Sequence, residues 1–286
     1  MMTSKIYEIA GHRFSLLGER LCQAIEPIVG FVPFEVDGGD VLFTIAEGDV
    51  VPPMQQIQYE LQYEDVVGRF GRTTDGFLLT LKPAHEEPLS LWVSEGTPLV
   101  YLRGNLSPYL YRFALWVGYG LMVLPYGTVA IHSSCIVYRE RAVLFLGESG
   151  TGKSTHTRLW RQHIEGATLL NDDSPVLRVE GDKVWAYGSP WSGKTPCYKA
   201  QRYELQGCVR LSQAPANAIR RLSVLRAYGA LHPSCPPEFA YDSTLYDRVS
   251  TIIGAMLERI PLYHLACLPD AEAAQLSCHT LYADLS

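Results

Sequence analysis

The sequence has no run of basic residues, the feature on which binding to nucleic acids and anionic membranes depends. Its 24 lysines and arginines are outnumbered by 30 aspartates and glutamates, and the formal net charge is −6. Polyanionic partners are attracted mainly by clustered positive charge. We therefore expect neither a nucleic acid nor a membrane surface as a partner.

Cysteine pairing is also missing. The cysteines form no C-x-x-C pair and are odd in number, at positions 22, 135, 197, 208, 235, 267 and 278. A disulfide framework or a cysteine-ligated zinc site is therefore not expected. Buried free thiols in a reducing cytoplasm are the simpler interpretation.

The chain has little that would export it or place it in a membrane. Its first residues, Met-Met-Thr-Ser-Lys-Ile-Tyr-Glu, lack the apolar core of a signal peptide. Residues 113–131 carry no charge and are long enough to cross a bilayer, but Pro125-Tyr126-Gly127 is a turn signal that splits them. We predict a buried helix of about 15 residues followed by a short buried strand. The expected location is the cytoplasm.

Apolar residues make up 47% of the 286 residues, enough for one large domain or two modest ones. Before residue 104 the sequence predicts several short strands at close spacing, which is typical of an antiparallel sheet. Segments 31–36 and 41–45 flank Asp37-Gly38-Gly39-Asp40 and predict a hairpin, and residues 57–63 alternate as in a half-buried strand. We predict a β-rich N-terminal domain over 1–104.

Helix and strand patterns are mixed in the remaining sequence, which predicts a second domain over 105–286 and a mixed α/β class. A helix is expected over 107–124. A charged turn, Arg139-Glu140-Arg141, joins two predicted strands. The other predicted elements are strands at 131–138, 141–146, 167–170, 176–179, 184–187 and 262–266, and helices at 243–258 and 270–277.

Residues 147–155 read Gly-Glu-Ser-Gly-Thr-Gly-Lys-Ser-Thr and contain a complete Walker A phosphate-binding loop, G-x-x-x-x-G-K-S. The apolar run 142–146 precedes the loop, and the helix-compatible stretch 156–161 follows it. This strand–loop–helix context is the one in which such a P-loop binds phosphate. The sequence therefore predicts a nucleoside triphosphate site; the alternative is a glycine-rich turn with an incidental Gly-Lys-Ser.

The loop residues have separate expected roles. The glycines allow positive φ and a close approach to an anion, so that successive N–H groups form a nest at the start of a helix. Lys153 supplies an ammonium for the β- and γ-phosphates, and the Ser154 hydroxyl is a ligand for Mg²⁺. ATP and Mg²⁺ are the expected cofactors, and the nucleotide contacts are expected from Gly147, Ser149, Gly150, Thr151, Gly152, Lys153, Ser154 and Thr155.

Asp172 and Asp173 are the candidate carboxylates, because they follow an apolar strand, 167–170, at the edge where a parallel sheet would also place the loop. One would help to position Mg²⁺ and the other would accept a proton from an attacking hydroxyl. The alternative is a turn, since Asn-Asp-Asp-Ser-Pro has turn composition.

Two further segments are candidates. His132 follows the run 128–131, and its expected role is to contact the γ-phosphate or to help tune a carboxylate; the alternative is a structural histidine. Residues 188–195 follow a predicted strand and offer small residues and Lys194. They form either a substrate-side loop or a plain turn.

The order of these segments resembles a known family. His132-Ser133-Ser134, the loop at 147–154 and Asn171-Asp172-Asp173 are arranged as in the C-terminal domain of HPr kinase/phosphorylase, in the phosphoenolpyruvate carboxykinase-like superfamily. The resemblance covers roughly residues 127–195. It implies a carboxykinase-like α/β fold, His132 close to the phosphates, and Asp172 and Asp173 as metal ligand and proton acceptor in an order that stays open. Members of the group often assemble, so a homo-oligomer is compatible with it.

The sequence also departs from that family. Thr155 stands where HPr kinases usually have Glu, and residues 185–191 replace their Glu-Val-Arg-Gly-type signature. We therefore expect a divergent ATP-dependent phosphotransferase in which Asp172, Asp173, His132 and Lys153 act on a hydroxyl acceptor of a protein, peptide or small molecule. The alternatives are an NTP hydrolase or nucleotide-dependent switch, and a non-catalytic ATP-binding sensor.

Overall fold

The computed structural model describes residues 3–193 and 195–283, which divide into two compact units. The first contains the described residues up to Tyr126 together with Pro237–Tyr246; the second contains Gly127–Pro236 and the residues from Asp247 on. Each unit has a mixed β-sheet and helices, so the predicted α/β class and β-rich N-terminal portion are confirmed. The domain boundary after residue 104 stays a prediction about which segments fold independently.

The first unit is built mainly of strands. In chain order its elements are β1 (Ser4–Ile9), β2 (His12–Leu17), α1 (Glu19–Ile25), β3 (Glu35–Val36), β4 (Phe43–Glu47), β5 (Gln56–Tyr63), β6 (Val66–Arg72), β7 (Gly76–Pro83), β8 (Leu89–Ser94), β9 (Leu99–Gly104) and α2 (Pro108–Val123). Short 3₁₀ helices cover Val29–Phe34, Leu124–Tyr126 and Pro237–Tyr241. The strands form one sheet in the order β3-β1-β2-β4-β9-β8-β7-β6-β5.

Two expectations about this sheet are wrong. The sheet is mixed rather than antiparallel, because β4 runs parallel to both β2 and β9. The hairpin across residues 37–40 does not form, because β3 pairs with β1 while β4 pairs with β2 and β9. The segment predicted as its first strand is mostly 3₁₀ helix, in which Phe31 and Phe34 are buried three residues apart. Residues 37–40 lie in the connection from β3 to β4, and these two strands are not neighbours in the sheet.

The charge-free stretch at 113–131 is split as predicted. It contains most of α2, the 3₁₀ turn at Leu124–Tyr126 and a buried strand at Thr128–Ala130. In the first unit, α2 packs closely because it carries glycines: a Cβ on Gly118 would lie 2.8 Å from Leu91 Cδ1. None of the helices in residues 3–193 and 195–283 has the length and hydropathy needed to span a bilayer.

Asp242 attaches the segment Pro237–Tyr246 to the sheet of the first unit. Arg72 on β6 donates from Nε to Asp242 Oδ2 at 2.7 Å and from Nη2 to Oδ1 at 2.9 Å. Gln58 Nε2 and the Leu245 N–H donate to the same carboxylate at 2.7 and 3.1 Å. Burial raises the pKa of Asp242, but these hydrogen bonds outweigh burial and hold the pKa below its ordinary value.

The second unit contains the phosphate-loop sequence. Its elements are β10 (Thr128–Ala130), β11 (Ser133–Tyr138), β12 (Arg141–Leu146), α3 (Lys153–His163), β13 (Thr168–Asp173), β14 (Val176–Glu180), β15 (Lys183–Tyr187), β16 (Arg202–Gln213), β17 (Ala218–Arg221), α4 (Val224–Leu231), most of α5 (Ser243–Leu257), β18 (Leu262–Cys267) and α6 (Ala271–Tyr282). A 3₁₀ helix covers His232–Ser234. The main strand order is β10-β14-β15-β16-β12-β11-β13, and β18 joins β16 to β17.

The hairpin of β11 and β12 is confirmed and has a two-residue turn. Arg139 and Glu140 adopt φ values of 47° and 56°, and Tyr138 pairs with Arg141. Positive φ at both central residues is the geometry of a type I′ turn, whose twist matches that of the strands. The hairpin therefore sets the register between β11, which follows His132, and β12, which leads into the loop.

The core of this unit fixes the position of α3. Trp160 is fully buried on α3 among Phe145, Val209 and Leu265. Ser277 on α6 accepts a hydrogen bond from Trp160 Nε1 at 2.9 Å and lies 3.1 Å from His156 Nε2. The buried positions 156, 157, 159 and 160 form one face of α3, the spacing of an amphipathic helix. The helix that starts at the loop is thus held firmly at its middle.

All the cysteines lie within the described residues and are free thiols. Cys135, Cys208 and Cys235 are buried, and burial raises the pKa of the Cys208 thiol to about 12. These thiols therefore belong to the core, as predicted from their spacing.

Candidate active site

Three segments meet at one edge of the second sheet. β11 lies between β12 and β13 and is antiparallel to both. The carboxyl ends of β12 and β13 and the amino end of β11 therefore lie side by side at the same end of the strands. The loop after β12, Asp172 and Asp173 at the end of β13, and His132 before β11 all lie there. The shared edge was expected from a parallel sheet, but the parallel hydrogen-bonded neighbour of β12 is β16.

The loop has the backbone conformation that its glycines allow. Gly147, Gly150 and Gly152 adopt φ values of 152°, 83° and 103°. The Thr151 N–H and hydroxyl both donate to the Glu148 carbonyl, at 3.2 and 2.8 Å, and close the loop on itself. Within the described residues no side chain caps the start of α3. The first-turn N–H groups of Lys153, Ser154 and Thr155 are therefore available to an anion.

Lys153 is folded against the loop and is partly buried. Its Nζ donates to the carbonyl oxygens of Gly147 and Glu148 at 2.7 and 3.3 Å. It also lies 3.1 Å from His132 Nε2. Burial lowers the pKa of Lys153 despite the opposing effect of Asp173 and Asp172. The ammonium is therefore held where the loop, the histidine and the carboxylates come together.

Asp172 is buried and faces two hydroxyls. Its Oδ1 accepts from Ser154 Oγ at 3.1 Å and from Ser134 Oγ on β11. The side chain is directed there from a strand with an irregularity, since Cys135 pairs with Asn171 but Ile136 pairs with Leu169. A bulge of this kind re-aims the residues that follow it. The structure thus joins the serine of the loop to the first aspartate of the pair.

Asp173 is more exposed and faces His132. Asp173 Oδ1 lies 3.2 Å from His132 Nδ1, with the two side chains 39% and 49% exposed. Because an ammonium has only donors, the contact with Lys153 makes His132 Nε2 the acceptor and leaves the Nδ1 proton facing Asp173. The His132 N–H donates to the Ser234 carbonyl at 2.6 Å, which fixes its backbone. Asp173 itself has a φ of 154°, a value that residues with a side chain rarely adopt.

The segment after β15 borders the carboxylates. Asn171 Nδ2 donates to Ser189 Oγ at 3.2 Å and to the Trp191 carbonyl at 3.3 Å. Gly193 N donates to the Asp172 carbonyl at 2.6 Å, and a Cβ on Gly193 would lie 3.2 Å from Asp173 Cβ. The small residues of this segment are therefore needed for its close approach to β13. Lys194, offered by the sequence as a possible substrate contact, lies outside the described residues.

The nucleotide contacts expected of the remaining loop residues stay predictions. Ser149 is exposed at the outer part of the loop, and Thr155 lies partly buried in the first turn of α3. The arrangement contains one group whose role was not foreseen, the hydroxyl of Ser134 on Asp172. Its signal in the sequence is the polar pair Ser133-Ser134 at the start of the strand 133–138, ahead of a mostly apolar remainder.

The donor atoms around Asp172 fit magnesium. Mg²⁺ prefers oxygen ligands and is usually held by one or two carboxylates, waters and the phosphates of its nucleotide. Ser154 Oγ and Asp172 Oδ1, 3.1 Å apart beside the loop, are oxygen donors of the kind that Mg²⁺ prefers. Within residues 3–193 and 195–283 no group of three or more His, Cys, Asp and Glu side chains is arranged for a metal. A nucleotide-dependent magnesium site does not require such a group.

Comparison with solved structures gives a distant structural likeness. No protein-family model and no curated protein sequence matches the chain. The chain is similar to the solved structure of the HPr(Ser) kinase/phosphatase from Coxiella burnetii, with 14% identity and a TM-score of 0.31. The match covers 55% of this chain and 89% of that chain. A likeness this distant does not define an activity.

Proposed function

We propose that the protein is an ATP-dependent phosphotransferase that moves the γ-phosphate to a hydroxyl group of a protein, peptide or small molecule. The supporting observation is the meeting of the phosphate loop, the Ser154–Asp172 pair and the Asp173–His132 pair at one sheet edge. Phosphoryl transfer depends mostly on positioning and charge stabilisation, and these groups supply both.

The loop would hold the triphosphate. The uncapped first turn of α3 presents N–H groups and the positive end of the helix dipole. Lys153 would exchange the Gly147 carbonyl, 2.7 Å from its Nζ, for phosphate oxygens. Because the carbonyl is a weaker partner than a phosphate, this exchange favours the bound nucleotide.

Asp172 and Ser154 would hold magnesium when it accompanies the nucleotide. When bound, Mg²⁺ neutralises the charge that develops on the phosphate oxygens. Ser134 donates to the same carboxylate oxygen and holds its orientation. This assignment gives Asp172 the metal-binding role because it is the aspartate that contacts the loop serine.

Asp173 would then accept the proton of the attacking hydroxyl. It is the more exposed of the two aspartates, so an acceptor has access to it. His132, between Lys153 and Asp173, would orient the carboxylate through its Nδ1 proton. Gly193 leaves space above this carboxylate because it has no side chain.

The two aspartates provide the test of this proposal. Asp173→Asn should lower the rate of phosphoryl transfer by about a hundredfold or more while nucleotide affinity stays nearly unchanged, because only proton acceptance is lost. Asp172→Asn should lower the rate and also raise the Mg²⁺ concentration needed for activity. Affinity is measured by calorimetry and transfer by the release of ADP in the presence of an acceptor.

Asp182→Asn is the matched control, since Asp182 is an exposed aspartate in the turn between β14 and β15. It should leave both measurements unchanged. If the two site variants retain full activity, the assignment of the carboxylates is wrong. Phosphate release that needs no acceptor would indicate the hydrolase alternative, and tight binding without turnover would indicate the sensor.

A further inference from the structure

A second concave site lies within the first unit. It is a cavity of about 260 Å³ formed by β5, the start of α2 and the 3₁₀ segment at Pro237–Tyr241. Its volume is just below the roughly 300–1,000 Å³ of typical small-molecule sites. Four aromatic rings line it, those of Tyr59, Tyr63, Tyr109 and Phe113. Its size fits a small organic molecule.

Glu238 is the acidic group of this cavity. The residue is only 2% exposed, and its Oε2 has no hydrogen-bond partner among the described residues. Among the described residues that line the cavity, none is Lys or Arg. Burial raises the pKa of Glu238 to about 7. A buried carboxylate oxygen without a hydrogen-bond partner is costly, so a cationic ligand that approaches Oε2 would be stabilised by the charge of Glu238.

Asp242, four residues after Glu238 in the same segment, is a carboxylate with a structural role and serves as a comparison. It receives hydrogen bonds from Arg72, Gln58 and the Leu245 N–H. The segment is therefore already attached to the sheet without Glu238. A buried acid that has one oxygen without a partner and is unnecessary for attachment is better explained by a ligand than by folding.

The aromatic rings favour the same kind of ligand. The faces of aromatic rings attract cations, and the attraction grows when the cation is removed from water. Tyr63 and Tyr109, two of the lining residues, stack with their ring centroids 5.8 Å apart. We infer that this cavity binds a small organic ammonium ion, with its charged group toward Glu238 and its apolar part against the rings.

Phenethylammonium is a suitable probe, with 2-phenylethanol as its neutral counterpart. Calorimetry on the full chain at pH 8 should show saturable binding of phenethylammonium and binding of the alcohol weaker by about tenfold or more. Glu238→Gln should weaken binding of the amine by a similar factor, whereas Glu87→Gln, at an exposed glutamate of the same unit, should not change it.

A second variant keeps the inference testable if Glu238→Gln does not fold. Tyr109 is 53% exposed, so Tyr109→Leu should fold and weaken binding of the amine several-fold; Tyr126→Leu, at a tyrosine that is 52% exposed and outside the cavity, is its control. Equal binding of the amine and the alcohol, no binding of the amine, or full affinity in Tyr109→Leu would overturn the inference. None of these results depends on phosphotransfer.

Discussion

Asp172 and Asp173 are neighbours in sequence but have different surroundings. Successive side chains of a strand point to opposite sides, so one carboxylate is buried against Ser134 and Ser154 and the other faces His132. The sequence named the pair because two acids end an apolar strand. It left their order open, because the order depends on the bulge at 169–171 and on the register with β11.

Two buried titratable residues, Glu238 and His156, should have opposite effects on the free energy of unfolding as the pH falls. Burial raises the pKa of Glu238 from 4.5 to about 7, so its stabilising contribution is complete below pH 4.5 and is lost as pH rises through 7. Burial lowers the pKa of His156 from 6.5 to about 4, so stability is lost as pH falls from 6.5 through 4. Each effect is at most about 3 kcal/mol.

The pair of variants at these residues tests this balance. From pH 6.5 to 4.5, His156→Gln should reduce the acid loss of unfolding free energy, and Glu238→Gln should increase it, as measured by urea unfolding. Absolute stability also changes with packing, so the difference between the two pH values is the informative quantity. A shift in the same direction for both variants would contradict the pKa assignments.

Elements with a strong local signal were predictable. The loop, α3 and the hairpin of β11 and β12 follow from glycine spacing, helical periodicity and a short charged turn. β16 was missed, although it is parallel to β12 in the sheet, because Gly207 and polar residues interrupt its apolar pattern. The pairing partners of the strands were the least predictable feature, as the absent hairpin at 37–40 shows. Local composition does not determine which distant segments pair with each other.

The conformation of the loop can be tested at Gly147. Its φ of 152° and the position of Thr151 Oγ1 leave no room for a Cβ, and Thr151 is held by its hydrogen bond to the Glu148 carbonyl. Gly147→Ala should therefore weaken nucleotide binding by about tenfold or more, through a distorted phosphate nest. Calorimetric titration with ATP and Mg²⁺ measures the effect.

Gly166→Ala is the control for backbone strain alone. Gly166 has a φ of 82°, and a Cβ there would meet nothing within 4 Å. The variant should lose about 1 kcal/mol of stability and keep its nucleotide affinity. Equal affinity of Gly147→Ala and the wild type would show that the loop does not bind the nucleotide as described.

At the scale of the whole molecule, the two units carry two different kinds of site. The second unit brings together the uncapped N–H groups at the start of α3, a lysine and a pair of aspartates. The first contains an aromatic cavity with a buried acid, and local sequence patterns gave no sign of it because Glu238 is distant in sequence from β5 and α2. The proposed phosphate site was predictable because its residues lie within one motif and two strands around it.

The central claim is that this protein transfers the γ-phosphate of ATP to a hydroxyl, and one labelling measurement tests it most directly. The full chain and its Lys153→Ala variant are incubated with γ-labelled ATP, Mg²⁺ and a cell lysate, and the label is followed into acceptors and inorganic phosphate. The account predicts an alkali- or phosphatase-sensitive phosphoester on an acceptor with the wild type and none with Lys153→Ala. Label found only as inorganic phosphate, or the same labelling by both proteins, would contradict it.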